Sequence, residues 1–397
     1  MIQEPNRMNF PEADAALRAA IDGEQLAGAS YAIFRGGESL ARNWLGWADR
    51  ERSESLREDH LFRAFSNTKL VTSCAALQLV EQGRLDLDDP VANHIPAFQN
   101  LQVMRPGATS IEDTVPAREP VRIRHLLTHT AGFTYGFLQP GTPIGDAYNA
   151  ARILQPSLDL AEMTEALARL PLLFEPGTRW NYSVGIDVVG RVIELVSGQR
   201  LDDYFGEHIF EPLGLEDTFF SIPADKQSRL AALYVGSMEE PLRPGLARAD
   251  HLPYRGAYLQ RMPFLGGGGG LVTSLGDFGK LVQTLLRGGA PLLRPETMPL
   301  LTRNQLPLGM WVQFPGQPVQ TGRGHSFAAA VVAEETAGLP MAEGQVHWGG
   351  LAGTKWFFSP AEDLGAVLMT QRFMGSDLPY WPNFLSALRQ DLGLRRI

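Results

Sequence analysis

Phe65-Ser66-Asn67-Thr68-Lys69-Leu70-Val71-Thr72-Ser73-Cys74-Ala75-Ala76-Leu77-Gln78-Leu79-Val80 is the stretch on which the reading of this chain turns. From Leu70 onward it is apolar nearly all round, until Gly83 ends the run. That pattern predicts a helix opening at Ser66 and buried over most of its circumference. Ser66 and Lys69 stand three apart, so a helix brings their side chains onto one face about a turn apart. A serine hydroxyl is a poor nucleophile until a neighbouring base takes its proton. A lysine serves as that base only when burial or nearby positive potential pulls its pKa down. A helix N-terminus supplies such potential, together with free backbone N–H groups that can face a developing oxyanion. The competing reading makes Ser66 a plain helix cap and lets Lys69 snorkel to solvent. Only Lys69, Lys226, Lys280 and Lys355 occur, and of these only Lys69 has a serine three residues before it.

Around this stretch the chain is ordinary in composition. Its 397 residues suit two lobes better than one compact layer. Apolar residues make up 44% and charged residues 20%, enough for a substantial core. A net charge of −9 argues against nucleic acid or an anionic membrane as partner. Cys74 is the single cysteine, which excludes a disulfide framework and a cysteine-based metal site. The first residues show no basic region followed by an apolar run, so no signal peptide is expected. No apolar run approaches the roughly 18 residues of a membrane span. The expectation is a soluble, cytoplasmic protein.

Pro11 to Ile21 reads as an amphipathic helix with proline near its start and Gly23 past its end. Ala29–Phe34 and Leu40–Ala48 read as strands joined by Arg35-Gly36-Gly37-Glu38, a hairpin pattern. After Leu85-Asp86-Leu87-Asp88-Asp89-Pro90 the chain turns helical. Candidates are Arg124–Thr128, Leu160–Leu170, Ile186–Ser197 and Leu201–Ile209, with no clear strand between Pro90 and about Ile222. Asp225 to Pro263 has no assignable pattern. Ser274-Leu275-Gly276-Asp277 reads as a capping box for a helix through Leu286. Strand character returns in Ser326–Val332, Gly344–Trp348, Lys355–Ser359 and Gly365–Gln371, and Asn383–Leu392 closes as a helix. Strands at both ends with helices between them imply one lobe built from the two ends and a helical lobe inserted.

Two further runs carry chemistry. Arg179-Trp180-Asn181-Tyr182-Ser183-Val184 follows a Pro-Gly turn and precedes a helix, placing Tyr182 on a loop at the helix entrance. A tyrosine hydroxyl there can relay a proton, although a lone tyrosine is more often interfacial packing. In Val346-His347-Trp348-Gly349-Gly350-Leu351, glycines on a strand mark close approach of a ligand or backbone. Side chains alternate, so if Trp348 faces a cleft, His347 faces away.

Together the three runs resemble the serine penicillin-recognising fold of class C β-lactamases, DD-peptidases and family VIII carboxylesterases. Its signatures are S-x-x-K, a Tyr motif, and a K-T-G-like or W/H-G-G-like strand. Here they stand in that order as Ser66–Lys69, Tyr182-Ser183-Val184 and Trp348-Gly349-Gly350. The flanking runs Ile123–Gly132 and Gly266–Ser274 are similar to the family as well. Two positions depart from the β-lactamase pattern, which would place Asn at Val184 and Lys at Trp348. The W-G-G form is that of family VIII carboxylesterases, which points to esters ahead of β-lactams.

The resemblance implies an α+β fold: an α/β domain with an antiparallel sheet over 1–88 and 270–397, a mostly helical domain over 89–269, and the site in the cleft between. It implies Ser66 as acylated nucleophile, Lys69 and Tyr182 as base and proton relay, and the backbone N–H groups of Ser66 and Leu351 as oxyanion hole. Trp348, Gly349, Gly350, Tyr135 and Phe137 would line the substrate, a small ester, with no cofactor and no metal. β-Lactamase, D-aminopeptidase or acyltransferase activity, or a silent binding scaffold, are the alternatives, and oligomeric state stays open. Three decoys are set aside. Gly324-His325-Ser326-Phe327-Ala328 approximates G-x-S-x-G but lacks its second glycine. Gly266–Gly270 fits neither nucleotide-binding pattern and reads as tight packing beside the site. His125 and His129, on one helical face but without H-E-x-x-H, read as structural hydrogen-bonders.

Overall fold

The computed structural model describes residues 8–336 and 340–395. α1 (Pro11–Asp22) ends at Gly23. β1 (Gly28–Arg35) and β2 (Glu38–Asp49) turn through Gly36 and Gly37, whose φ values of 58° and 75° suit residues without a Cβ. β3 (Glu54–Ser55) and β4 (Leu61–Arg63) follow. A 3-10 turn, Phe65–Asn67, then leads into α2 (Thr68–Glu81), so the regular helix starts two residues beyond Ser66. The Thr, Ser, Val and Cys positions of α2 are mediocre helix formers, each costing a few tenths of a kcal/mol. Burying Leu70, Leu77 and Leu79 at about 1.5–3 kcal/mol apiece outweighs that.

The middle of the chain holds β5 (Gln102–Met104) and β6 (Thr114–Pro116), which correct the expectation of no strands there. Three-residue strands carry no alternation to read; this ribbon is held by Leu172, which exchanges backbone hydrogen bonds with Gln102 and Met104 at 2.7 and 2.9 Å. α3 (Ile123–Leu127), the unforeseen α4 (Pro143–Ala150), α5 (Leu160–Leu167) and α6 (Gly185–Ser197) follow. α7 (Leu201–Phe205) passes through a π turn, Gly206–Phe210, into α8 (Glu211–Leu213). Because α3 stops at Leu127 and His129 has φ 58°, His125 and His129 do not share a helical face. The unassigned segment contains β7 (Tyr234–Val235) and β8 (Ala247–Arg248).

β9 (Val272–Ser274) pairs with β4, and the Ser274 hydroxyl caps α9 (Leu275–Leu286) by accepting the Asp277 N–H at 3.1 Å. After α10 (Met298–Thr302) come β10 (Arg323–His325), β11 (Ala330–Val332), β12 (Val346–Gly349), β13 (Lys355–Ser359), β14 (Leu364–Thr370) and α11 (Tyr380–Asp391). The single strand expected over 326–332 is therefore wrong. Ser326 instead closes a turn, its hydroxyl accepting the N–H groups of Ala328 and Ala329 at 3.1 Å. This local bonding offers the backbone an alternative to the ladder.

The main sheet runs β10-β11-β12-β13-β14-β1-β2-β3, antiparallel throughout, and β1 joins β14 from Ala29↔Thr370 to Arg35↔Leu364. Alternate residues serve opposite layers: Phe357 packs with α1 and α11, Trp356 and Phe358 with α2 and α9. Only Val346 and His347 of β12 pair with β11, leaving Trp348 and Gly349 bonded to β13 alone.

Candidate active site

Phe65 has φ 45°, a left-handed backbone that costs a non-glycine residue on the order of 1–3 kcal/mol. Its ring is pinned edge-on by Tyr258 and Phe373, each at 6.4 Å. The strained turn sets Ser66 at the head of α2, facing a cavity of about 1540 Å³. Tyr182 O–H donates to Ser66 Oγ at 2.7 Å, and Lys69 Nζ lies 3.4 Å from the same oxygen. Lys69 Nζ also donates to Tyr135 Oη at 3.0 Å and to the Gly268 carbonyl at 2.6 Å, and sits 4.7 Å from the centre of the Tyr182 ring. The Tyr182 loop is laid against 129–134: Asn181 N–H donates to His129 O, and Asn181 Nδ2 to Phe133 O, both at 2.8 Å.

Sequence reasoning missed Asp187. It lies on the buried face of α6 and accepts the Gly268 N–H at 2.8 Å through Oδ1, while Oδ2 has no partner among the described residues. Burial pushes its carboxyl above the usual range and the Lys69 charge pulls it back. Burial and the Asp187 charge hold the Tyr135 phenol well above its ordinary value, so Tyr135 stays neutral. A Cβ at Gly268 would fall 2.5 Å from Asp187 Oδ2 and 2.9 Å from Tyr135 Oη. The glycine run is thus a close-packed bridge between the Asp187 carboxyl and the Lys69 amine. An aspartate among Ile186, Val188 and Val189 was the available clue.

The third wall comes from β12. A Cβ on Gly350 would fall 2.2 Å from the Ala64 carbonyl oxygen, so the strand's exit rests on the chain two residues before Ser66. Asn67 Nδ2 donates to Thr354 Oγ1 at 3.0 Å across the same junction. Leu351 lines the cavity with Ser66, and its N–H meets no protein acceptor among the described residues. The Trp348 ring faces Tyr182 and His325 at 5.5 Å and Phe314 at 6.2 Å. His129 stands edge-on to Tyr182 at 4.8 Å, its Nδ1 accepting the Ser183 N–H at 3.3 Å. Burial drives His129 far below its ordinary pKa and His325 down to about 4, so both are neutral walls near pH 7.

Ser66, Lys69, Tyr182, Trp348, Gly350 and Leu351 are therefore brought together. Tyr135 contacts Lys69, and Phe137 lies farther out as a 54% exposed ring at the mouth, 5.2 Å from Tyr135. Ser326 is apart from them, fully buried in its turn. Among the described residues no three His, Cys, Asp or Glu side chains gather as a metal would require, and no helix is long and apolar enough to cross a membrane.

A Beta-lactamase family model matches residues 13–384. The chain is 32% identical to Esterase EstB of Burkholderia gladioli, covering 90% of this chain and 89% of that protein. The structure of EstCE1, described as a hydrolase with promiscuous acyltransferase activity, superposes with a TM-score of 0.80 at 30% identity, covering 95% and 97% of the two chains. A family VIII carboxylesterase shares the fold, with a TM-score of 0.69 at 21% identity over 97% and 99%. With a match over nearly its whole length and esterases among its relatives, the chain belongs to the beta-lactamase family and is a serine hydrolase.

Proposed function

We propose that this protein is a carboxylesterase that hydrolyses short- to medium-chain esters through an acyl-enzyme on Ser66. The observation that carries the reading is the Tyr182–Ser66 hydrogen bond of 2.7 Å with Lys69 Nζ at 3.4 Å. Ser66 Oγ attacks the ester carbonyl, and its proton passes to the unprotonated member of the Tyr182/Lys69 pair, a phenolate or a free amine. The N–H groups of Ser66 and Leu351 receive the oxyanion. The pair then returns the proton to the departing alkoxide, and water releases the acid by the same steps in reverse. In this reading the substrate enters between the 1–88/270–397 lobe and the 89–269 lobe. Esters are favoured over β-lactams because a carboxylate entering the cleft sheds water and meets the Trp348 indole instead of an ammonium. Acyl transfer to an alcohol is a second outcome of the same intermediate. The cavity supports it: about 1540 Å³ exceeds what a short acyl group fills, and Phe210, Phe219 and Phe264 line its apolar side.

A fluorophosphonate label should land on Ser66, and Ser66→Ala should lower nitrophenyl butyrate turnover on the order of 10⁴-fold. Nitrocefin should be processed with a kcat/KM at least about tenfold lower than nitrophenyl butyrate, equivalent to about 1.4 kcal/mol of transition-state binding. Equal turnover of the two would defeat the ester preference, and a labelled, active Ser66→Ala would defeat the nucleophile assignment.

A further inference from the structure

The cavity at Ser66 is lined as well by His347, Gly349 and Lys355 of β12 and β13, an arm that the chemistry at Ser66 does not use. Trp348 faces Tyr182, so its neighbours His347 and Gly349 present the opposite face of the strand. Pairing sets Lys355 opposite Gly349 and Phe357 opposite His347, making Lys355 and His347 diagonal neighbours there. A Cβ on Gly349 would fall 2.7 Å from Lys355 Cδ and 3.2 Å from Nζ, so the lysine lies in space that only glycine leaves. Arg323, Asp377, Met341 and Trp381 line the same cavity, and Met341 and Trp381 belong to the apolar cluster of Phe357 on this face of the sheet.

The charges of this arm do not close. Arg323 donates to Gln320 Oε1 at 2.7 Å, and Lys355 Nζ to the Ser376 carbonyl at 3.3 Å. Neither forms an ion pair with a carboxylate among the described residues; Asp377 acts on Lys355 only at longer range. His347 Nε2 is buried with no hydrogen-bond partner. By contrast, Arg63 pairs with Asp250 at 3.0 Å and Arg389 with Glu362 at 2.9 Å. On one wall, two cations thus lack a paired carboxylate and one imidazole nitrogen lacks any partner among the described residues.

We propose that this arm is a carboxylate-binding subsite in which Lys355 Nζ, the Arg323 guanidinium and His347 Nε2 receive a carboxylate carried at the far end of the ester bound at Ser66. The reactive-centre part of this statement rests on the esterase reading. The path is short: Gly349 touches Lys355, and the next residue, Gly350, rests on Ala64 beside Ser66. The unpaired edge of β12 at Trp348 and Gly349 leaves the way around the strand open. A β-lactam carries its carboxylate next to the ring nitrogen of the scissile bond, not at the far end of the molecule, and so does not present the group this arm would receive.

The test uses nitrophenyl half-esters of glutaric, adipic and suberic acids, and butanoyl esters of ω-hydroxy acids of matching length. Each is paired with the methyl ester of its free carboxyl. In at least one series the charged form should exceed its methyl ester in kcat/KM by about tenfold or more. Lys355→Met should lower that ratio at least about tenfold, and Lys355→Arg should restore it. Arg323→Met reads the same ratio should Lys355→Met fail to fold. Calorimetric titration with glutarate, suberate and ω-hydroxyhexanoate tests the site apart from turnover: binding that Lys355→Met abolishes supports it. Methyl esters preferred throughout both series, or no binding of any of the three acids, would overturn the subsite and leave the esterase standing. Failure to cleave any neutral ester would instead overturn the esterase reading, with the titration still deciding the subsite.

Discussion

Tyr182 differs from phenylalanine by one oxygen, and that oxygen is the one bonded to Ser66 Oγ at 2.7 Å. Tyr182→Phe keeps the ring contacts to Trp348, Phe314 and His129, so the melting temperature should hold. Removing a positioned acid–base group should lower kcat by about 10²–10⁴; a folded variant with near-normal kcat would remove Tyr182 from the chemistry. Ser326→Ala should behave in the opposite way. It strips two backbone N–H groups of their acceptor, costing about 1–3 kcal/mol in urea unfolding, with ester turnover retained. The Ser66–Lys69 relation was legible because three residues on a helix decide it locally. Asp187 and the Gly268 carbonyl were not, because their contacts join positions far apart in the chain.

β12 and the nucleophile turn meet at Gly350 without space for a side chain. Gly350→Ala would press a methyl group against the Ala64 carbonyl and Thr354 Oγ1, at 2.2 and 2.4 Å, neither of which can swing aside. Overpacking of this kind costs about 1–3 kcal/mol, and the relief available is to part β12 from Ser66. Leu351 would move with it. The expected result is a kcat lowered by about 10²–10³, the scale of a lost oxyanion donor, with KM changed less. An unchanged kcat would mean that the Leu351 N–H is not used. Periodic helices such as α6 and α9 were readable because 3.6-residue patterning repeats within each element. The β10–β11 turn was not: Ser326–Val332 has the composition of a strand, and only the serine's bonding to Ala328 and Ala329 breaks it.

Across the whole molecule, burial keeps His125, His129, His325 and His347 below their ordinary pKa of 6.5, with His125 and His325 at about 4. The unfolded chain takes up these protons before the folded one does. The stability these histidines contribute is therefore full above about pH 6.5 and falls as pH drops toward 4. His325 alone should account for a loss of about 2 kcal/mol at pH 5. Asp187 and Asp277, pushed up by burial, oppose this in part. Urea midpoints should drop clearly between pH 7 and pH 5, and equal midpoints would contradict the balance. At this scale the sequence was informative: strands clustered toward both ends of the chain, and they do share one sheet. How β12 is offset from β11 could not be read, since register depends on the partner strand.

The β1–β14 pairing also sets a schedule. Ala29 leaves the ribosome early, yet its partner Thr370 is made only after nearly all the intervening chain, tens of seconds later at about 5–20 residues per second. Until then β1 has one open edge, an invitation to stray strands, and the β12–β14 segment that braces the Ser66 turn is incomplete. A nascent chain arrested before Leu364 should therefore be catalytically inert and dependent on chaperones, and activity should appear only as the last strand is released.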